Sequence, residues 1–544
     1  MGTVADKLGR LQETKHAIRA ALEEKGQAVA DGDSFASYAE KIRAIESGGG
    51  GAGTPPDPAK VYKETRPADW LPMPEPQDDE MYLLFHIPDG VSALIAFTVT
   101  CTGSYTVKTG TVRNGAFVSQ ASTSVASGSN WETELSAKSY ENLTADGMKQ
   151  VMIKVSGSNI ATWAASNHSK ASSNLKDWNI VEIACRLPSG LKVDCGGQYL
   201  YIALTKLRYF TWVGTNIVTD MVSMFKNCCV LTAVPQLDTS SVTNMSYMFN
   251  GCSSLMAVPQ LDTSSVTNMS YMFGGCPRLT AIPQLDTSIV TNMASMFLNC
   301  HSLTAIPQLD TSKVTTMQNM FGYCHSLTAI PQLDTSKVTT MQSMFGYCFS
   351  LTAIPQLDTS IVTNMASMFQ NCYSLTAIPQ LDTSKVTTMQ NMFSYCHSLT
   401  AIPQLDTSSV TNMGYMFSYC HSLTKIPQLD TSKVITMKEM FSSCYSLTAI
   451  LRLDTSIVTN MASMFQSCTS LSKLKLKPDV AGWVGVAISL SGCVLGRTAL
   501  VDFFNSLPTI TSTKAITLTR NPGISELMSA EKMIATRKGW TLTL

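Results

Sequence analysis

From residue 207 onward the chain repeats itself every 24 residues, and a chain with a fixed short period has few ways to fold. One unit runs Leu303-Thr304-Ala305-Ile306-Pro307-Gln308-Leu309-Asp310-Thr311-Ser312-Lys313-Val314-Thr315-Thr316-Met317-Gln318-Asn319-Met320-Phe321-Gly322-Tyr323-Cys324-His325-Ser326, and the next, from Leu327, is nearly identical. Units starting at Leu207, Leu231, Leu255 and onward to Leu447 keep this register, eleven in all. Val314, Met317, Met320, Phe321 and Cys324 stand at i, i+3, i+6, i+7 and i+10, the spacing of one face of a helix of about three turns. Asp310, Thr311 or Ser312 can accept a hydrogen bond from the first free N–H groups of that helix. Leu303, Ile306 and Leu309 are the inward side chains of a strand over 303–309. Neither half can bury its apolar face alone, and stacking on identical neighbours buries all of them in one core. The expectation is a solenoid of 24-residue helix–strand units; at a strand spacing of about 4.8 Å, eleven of them make a rod or arc on the order of 50 Å long.

The period also accounts for an unusual composition. Eleven of the 16 cysteines (Cys228, Cys252, Cys276 and onward to Cys468) recur once per unit, and each unit contributes two of the 30 methionines. These are packing positions rather than a disulfide framework. Formal charges cancel and only 14% of residues are charged, so there is no electrostatic footprint for nucleic acid or anionic lipid. No run of 18 apolar residues exists, so membrane insertion is not expected. The start, Met1-Gly2-Thr3-Val4-Ala5-Asp6-Lys7, has no basic region followed by an apolar stretch, so no secretory signal is expected.

The rest of the chain divides by texture. Residues 1–46 read as a helical head, with Leu8, Leu11, Ile18, Ala21 and Leu22 at helical spacing and Tyr38, Ile42 and Ile45 on a second short face. Residues 47–58, glycine-rich then proline-rich, read as a linker. Over 59–195, β-rich runs at 81–86, 93–101, 105–112, 150–156 and 181–186 alternate with Gly/Ser/Asn turns, the pattern of an antiparallel β-sandwich. His86 and His168 stand alone there, without a nucleophile or ligand cluster. The solenoid occupies 196–476; its first unit carries Tyr209 and Trp212 on its strand and Val213-Gly214-Thr215-Asn216 where later units have Leu-Asp-Thr-Ser. Residues 477–544 read as irregular repeats and a cap, with a helix over 529–538 and a closing strand over 540–544.

The string Leu-Asp-Thr-Ser-x-Val-Thr-x-Met-x-x-Met-Phe-x-x-Cys-x-Ser-Leu resembles the BspA-like leucine-rich repeat, known from bacterial surface proteins and from proteins of phages that infect gut and oral bacteria. The resemblance implies a right-handed α/β leucine-rich-repeat solenoid used for adhesion or recognition, with no catalytic residues and no cofactor. Pro307-Gln308 and its counterparts depart from the family, which often has a plain strand there. Proline removes a sheet donor, so the sheet is expected to be short or interrupted. Residues 1–46 are similar to the short helical head of phage tail-fibre proteins. That likeness implies docking on tail or baseplate proteins and a homotrimer.

Three columns of the repeat carry candidate chemistry. Stacked cysteines fall about 5 Å apart, within disulfide range, yet an apolar face favours free thiols packed as small hydrophobes; no metal-ligand spacing is present. The aspartates (Asp238, Asp262, Asp286 and onward to Asp454) suit helix capping better than a calcium ladder. The third feature is what varies. Tyr323, Tyr347, Tyr395 and Tyr419 precede the cysteine, and His301, His325, Phe349, Tyr373, His397, His421 and Tyr445 follow it. Aromatic faces with polar tips suit stacking on sugar rings; the alternative is that they pack on one another as corner residues. The sequence thus leads to a phage tail-fibre or receptor-binding protein, borne on the virion tail, that recognises a glycan or protein receptor on the bacterial surface. A bacterial cell-surface adhesin is one rival. A polysaccharide-degrading enzyme is another, disfavoured because no pair of carboxylates at glycosidase separation stands out.

Overall fold

A computed structural model of the chain describes residues 66–165, 180–187, 192–194, 204–212, 218–477, 486–510 and 512–544. The expected head at 1–46, the linker at 47–58, His168 and residues 213–216 lie outside them.

Strands β1 (Glu80–Pro88), β3 (Ser104–Arg113), β4 (Ala116–Ala126), β6 (Met148–Ser156), β8 (Ile180–Arg186) and β10 (Tyr209–Trp212) form one sheet in the order β10-β8-β1-β6-β3-β4. Strands β2 (Ser92–Thr100), β5 (Asn130–Ser136), β7 (Thr162–Ala165) and β9 (Lys192–Asp194) form a second, in the order β5-β2-β7-β9. Alternation decides which side chains meet. Leu83, Phe85, Val107 and Ile153 of the first sheet share a core with Phe97, Val99 and Trp163 of the second. The other face of β1 is covered as well: Tyr82 and Leu84 pack with Trp70 and Leu71 of the preceding segment. That segment is held by Arg66 on the buried Glu182 carboxylate at 2.8 Å and by Leu71 N–H donating to Gln150 Oε1 at 2.7 Å. The sheets are not purely antiparallel as the turn pattern suggests, because β7–β9 and β8–β10 run parallel.

Strand β10 carries Tyr209 and Trp212, which the sequence assigns to the first solenoid strand, and it hydrogen-bonds into the first sheet. Phe210 packs edge-on to Phe225 at 5.0 Å. From Phe225 a file of buried phenylalanines, one per turn, runs to Phe465 with centroids 5.5–6.0 Å apart. The sheets and the coil therefore share one continuous core.

The core of each regular turn is the one the spacing predicts: Val314, Met317, Met320, Phe321, Cys324, Leu303 and Leu309 are all buried. The helix is not there. Over 314–324 the chain makes successive tight turns, and the unit is a coil rather than a helix–strand pair. The reason is local. Asn319 and Tyr323 hold φ of +54° and +61°, and the same two positions are left-handed in turn after turn, which an α-helix cannot contain. Met320 N–H closes on Met317 O and Cys324 N–H on Phe321 O, with the left-handed residue third in each turn, the arrangement of type II turns. The alternate N–H groups point along the solenoid axis instead. Asn319, Phe321 and Tyr323 donate to Gln342, Met344 and Gly346 of the next turn at 2.7–3.0 Å. Intra-turn and inter-turn bonds thus alternate residue by residue, which satisfies a backbone that neither helix nor sheet would serve.

The strand expected over 303–309 is absent too, for the reason Pro307 supplies. In its place the side chain of the following glutamine does the work. Gln308 Nε2 donates to Gln332 O at 2.7 Å, Gln332 to Gln356 at 2.6 Å, and the ladder runs from Gln236 to Gln428. The chain contains its own control. At Leu451-Arg452 the Pro-Gln pair is missing, and there a true strand forms: β11 (Ala449–Asp454), paired in parallel with β12 (Lys473–Lys477). Among the described residues, α-helices occur only beyond it. Strands β13 (Ile488–Ser489), β14 (Lys514–Thr517) and β15 (Trp540–Thr543) form a parallel sheet, with helix α1 (Arg497–Ser506) between the first two and α2 (Ser529–Thr536) between the last two.

Candidate functional site

The residues flanking each buried cysteine line one side of the coil, and the structure brings the varied ones together. The column after the cysteine is an unbroken stack of seven rings: His301, His325, Phe349, Tyr373, His397, His421 and Tyr445, with centroids 4.3–4.7 Å apart and planes within 14° of parallel. The column before it holds two tyrosine pairs, Tyr323–Tyr347 at 4.2 Å and Tyr395–Tyr419 at 4.4 Å. Rings of the two columns meet at 57–61° and 6.0–6.3 Å within a turn. All eleven predicted site residues therefore lie on one surface, and each is half-buried or exposed.

The geometry corrects one part of the expectation. Within each stack every ring face is covered by its neighbour, so sugars cannot lie on those faces in sequence. The stack offers edges, and open ring faces occur only where a stack stops.

The column before the cysteine sits at the second left-handed position of the turn. Other turns fill it with residues that tolerate such a backbone: Gly251, Gly275, Asn299, Asn371 and Ser443. Tyr323, Tyr347, Tyr395 and Tyr419 hold φ of +60° to +64° there. A bulky residue with positive φ is an outlier, and these tyrosines contribute nothing to the core that glycine or asparagine turns lack. A further column escaped the sequence reading. Four residues earlier, at the other left-handed position, stand Tyr247, Tyr271 and Tyr415. Tyr247 and Tyr271 stack at 4.7 Å, Lys226 lies 5.1 Å over Tyr247, and Lys438 lies 5.2 Å over Tyr415. Only three turns carry tyrosine there, too few to show as a pattern.

The electrostatics of the surface are quiet. Residues 341–350, 365–374 and 389–398 contain no Lys, Arg, Asp or Glu. Burial, and then the facing His301, lowers the pKa of His325; burial and His421 do the same to His397, and burial alone lowers His421. Burial thus favours the neutral form of these three histidines. Burial, followed by the partner tyrosine of each pair, raises the phenols of Tyr323 and Tyr395.

The other two columns are structural. Cys252 to Cys468 are free thiols, each donating to the phenylalanine carbonyl of the previous turn, as Cys324 does to Phe297 O at 3.2 Å. Burial raises their pKa. With no helix to cap, the aspartates instead close Asx turns: Asp310 Oδ1 accepts from Ser312 N–H at 3.0 Å. That bond and one from the Ser312 side chain lower the Asp310 pKa. No cluster of three metal-ligating side chains exists among the described residues. His86, by contrast, is buried edge-on to Trp70 at 4.8 Å, and burial lowers its pKa to about 4.

The family described as "Mycoplasma protein of unknown function, DUF285" matches residues 219–329, 291–402, 324–425 and 376–483. The array is similar to the DUF285 repeat. The match spans just under half of the chain and coincides with the turns described above, in keeping with a BspA-like leucine-rich repeat protein. Among solved structures, the chain is similar to a leucine-rich repeat protein from Eubacterium ventriosum, with 17% identity over 60% of this chain and 93% of that one and a TM-score of 0.35. It is also similar to the leucine-rich repeat protein of T. pallidum, with 22% identity over 36% of this chain and 77% of that one and a TM-score of 0.23. No curated protein sequence matches the chain.

Proposed function

We propose that this chain is a non-catalytic recognition protein of a phage tail that contacts the bacterial surface through the aromatic side of its DUF285-like array. The observation that carries the reading is the pair of aromatic columns: seven stacked rings beside four tyrosines held at left-handed positions that other turns fill with glycine, asparagine or serine. Sites that keep strained residues the fold does not need are where function is sought. Repetition supplies the rest, since many weak contacts in register add up to avidity. On this reading residues 1–46 dock the chain on tail or baseplate proteins, a trimer presents three arrays, and the receptor is a surface glycan or protein.

The test replaces Tyr323, Tyr347, Tyr395 and Tyr419 with Asn, the residue that Asn299 and Asn371 already place there. The variant is expected to fold as well as the parent and to lose binding to bacterial cells. Undiminished cell binding by the folded variant sinks the reading. Labelling of virion tails by an antibody against the array tests the phage assignment separately.

A further inference from the structure

The tyrosine column is interrupted once, and the interruption has the form of a slot. Tyr347 and Tyr395 stand two turns apart with Asn371 between them. Their outer partners, Tyr323 and Tyr419, cover one face of each ring. The other two faces look toward one another across the asparagine turn. In those same turns the neighbouring column is spaced 4.7 Å from Phe349 to Tyr373 and 4.7 Å from Tyr373 to His397. The distance between the Tyr347 and Tyr395 rings is therefore roughly twice one stacking step, about 9–10 Å at two strand spacings.

Asn371 is too short to fill that gap. It is left-handed like the tyrosines, with φ +59°, and its backbone N–H is fixed on Ser394 O at 2.7 Å. The residue is only 6% exposed, and its amide is the polar group at the bottom of the gap. The slot thus has two tyrosine walls, an amide floor, and Tyr373 beside it in the register that Phe349 and His397 keep to their own tyrosines. The three turns that build it carry no formal charge over 341–350, 365–374 and 389–398.

We infer that this slot takes one ring of a neutral sugar, presented by a surface glycan that runs over the aromatic columns. One ring fills the same gap in the neighbouring column, where Tyr373 stands between Phe349 and His397. A pyranose, with C–H bonds on both faces, meets both tyrosines. Asn371 then hydrogen-bonds a ring hydroxyl or an acetamido group, and the absence of charge disfavours an acidic sugar. The inference rests on the proposal that the aromatic side is the binding surface, and the experiment separates the two.

Asn371→Tyr continues the stack through the gap at a position where four other turns accept tyrosine. It closes the slot without removing a single ring. Asn371→Gly clears the floor and leaves the walls standing. Tyr347→Asn removes one wall and covers the case in which Asn371→Tyr does not fold. The probe is an array of neutral hexose and N-acetylhexosamine oligosaccharides, run with the full chain beside whole-cell binding. The parent is expected to bind a subset of the oligosaccharides, Asn371→Gly, which lacks the floor amide, to lose between threefold and tenfold, and Asn371→Tyr and Tyr347→Asn to lose more than tenfold. Binding by a folded Asn371→Tyr protein equal to that of the parent overturns the slot but leaves the aromatic surface in place. A parent that binds cells and none of the neutral sugars overturns the ligand class. Cell binding that survives loss of all four tyrosines removes the surface, and the slot with it.

Discussion

Two aromatic rings in one turn, Phe345 and Tyr347, should respond to truncation in opposite ways. Phe345 is fully buried and stacks at 5.7 Å on both Phe321 and Phe369. Phe345→Ala removes that packing and leaves a cavity that the neighbouring turns fill only in part, which costs about 3–5 kcal/mol. Tyr347→Gly is a balance of smaller terms. Losing its stack on Tyr323 costs about 0.5–1.5 kcal/mol, and glycine adds an entropic cost of roughly 0.5–1 kcal/mol. Releasing a side chain from φ +64° returns about 1–2 kcal/mol. The net change lies between about −1 and about +1.5 kcal/mol. The array is coupled turn to turn and need not unfold in one step, so the better readout is amide hydrogen exchange at reporters present in both variants. Cys348 N–H, on Phe345 O at 3.1 Å, and Asn371 N–H, on Ser394 O at 2.7 Å, serve this purpose. Since about 1.4 kcal/mol is a factor of ten, Phe345→Ala should lower their protection by about a hundredfold or more, and Tyr347→Gly by no more than about tenfold. If Tyr347→Gly loses as much protection as Phe345→Ala, the tyrosine holds the coil together, and its presence needs no ligand to explain it.

Other expectations follow from the same geometry. Replacing Pro427-Gln428 with Leu-Arg, the pair found at 451–452, should extend the β11–β12 sheet by a strand, seen as a newly protected amide at 427; an amide that still exchanges freely would mean that proline is not what interrupts the sheet. His86 takes up a proton near its ordinary 6.5 when unfolded and only near 4 when folded, so its contribution is complete above pH 6.5 and is lost as pH falls toward 4. The loss is about 3 kcal/mol, to order of magnitude, and His86→Gln should flatten the stability curve across that window in denaturant titrations from pH 7 to 4. In native protein, maleimide should label the half-buried Cys101 and Cys229 ahead of the buried Cys252 to Cys468, which should react only on unfolding; mass spectrometry of the labelled peptides decides this.

The period, the core and the variable columns were legible because burial leaves a direct imprint. Val314, Met317, Met320, Phe321 and Cys324 recur without exception of type or spacing, and all are buried. The backbone was not legible from the same residues, since steps of three and four fit a helix and a chain of tight turns equally well. The signal that separates them lay in the column of Tyr323, where Gly251, Gly275, Asn299 and Asn371 mark a left-handed site. The tyrosines masked it. Pro307 pointed to a short or interrupted sheet though not to the loss of the strand over 303–309, and its compensation by Gln308 depends on a side chain reaching the next turn, which one unit read alone does not contain. Tyr347 and Tyr395 were visible as aromatic, but that they face each other across Asn371 required the register of three turns.

The left-handed positions have a consequence for how such an array can change over time. Each is a socket that holds glycine, serine, asparagine, glutamate or tyrosine while the coil around it keeps its bonds, so the lettering of the surface is decoupled from the architecture beneath. The turns are so alike that duplicating or deleting one 24-residue segment splices the coil back onto itself in frame. Such an event leaves the core untouched and slides the pattern of full and empty sockets by one step. It can insert a second gap, close the one at Asn371, or widen that gap by one turn in a single stroke, reaching new surfaces by shuffling rather than by point substitution.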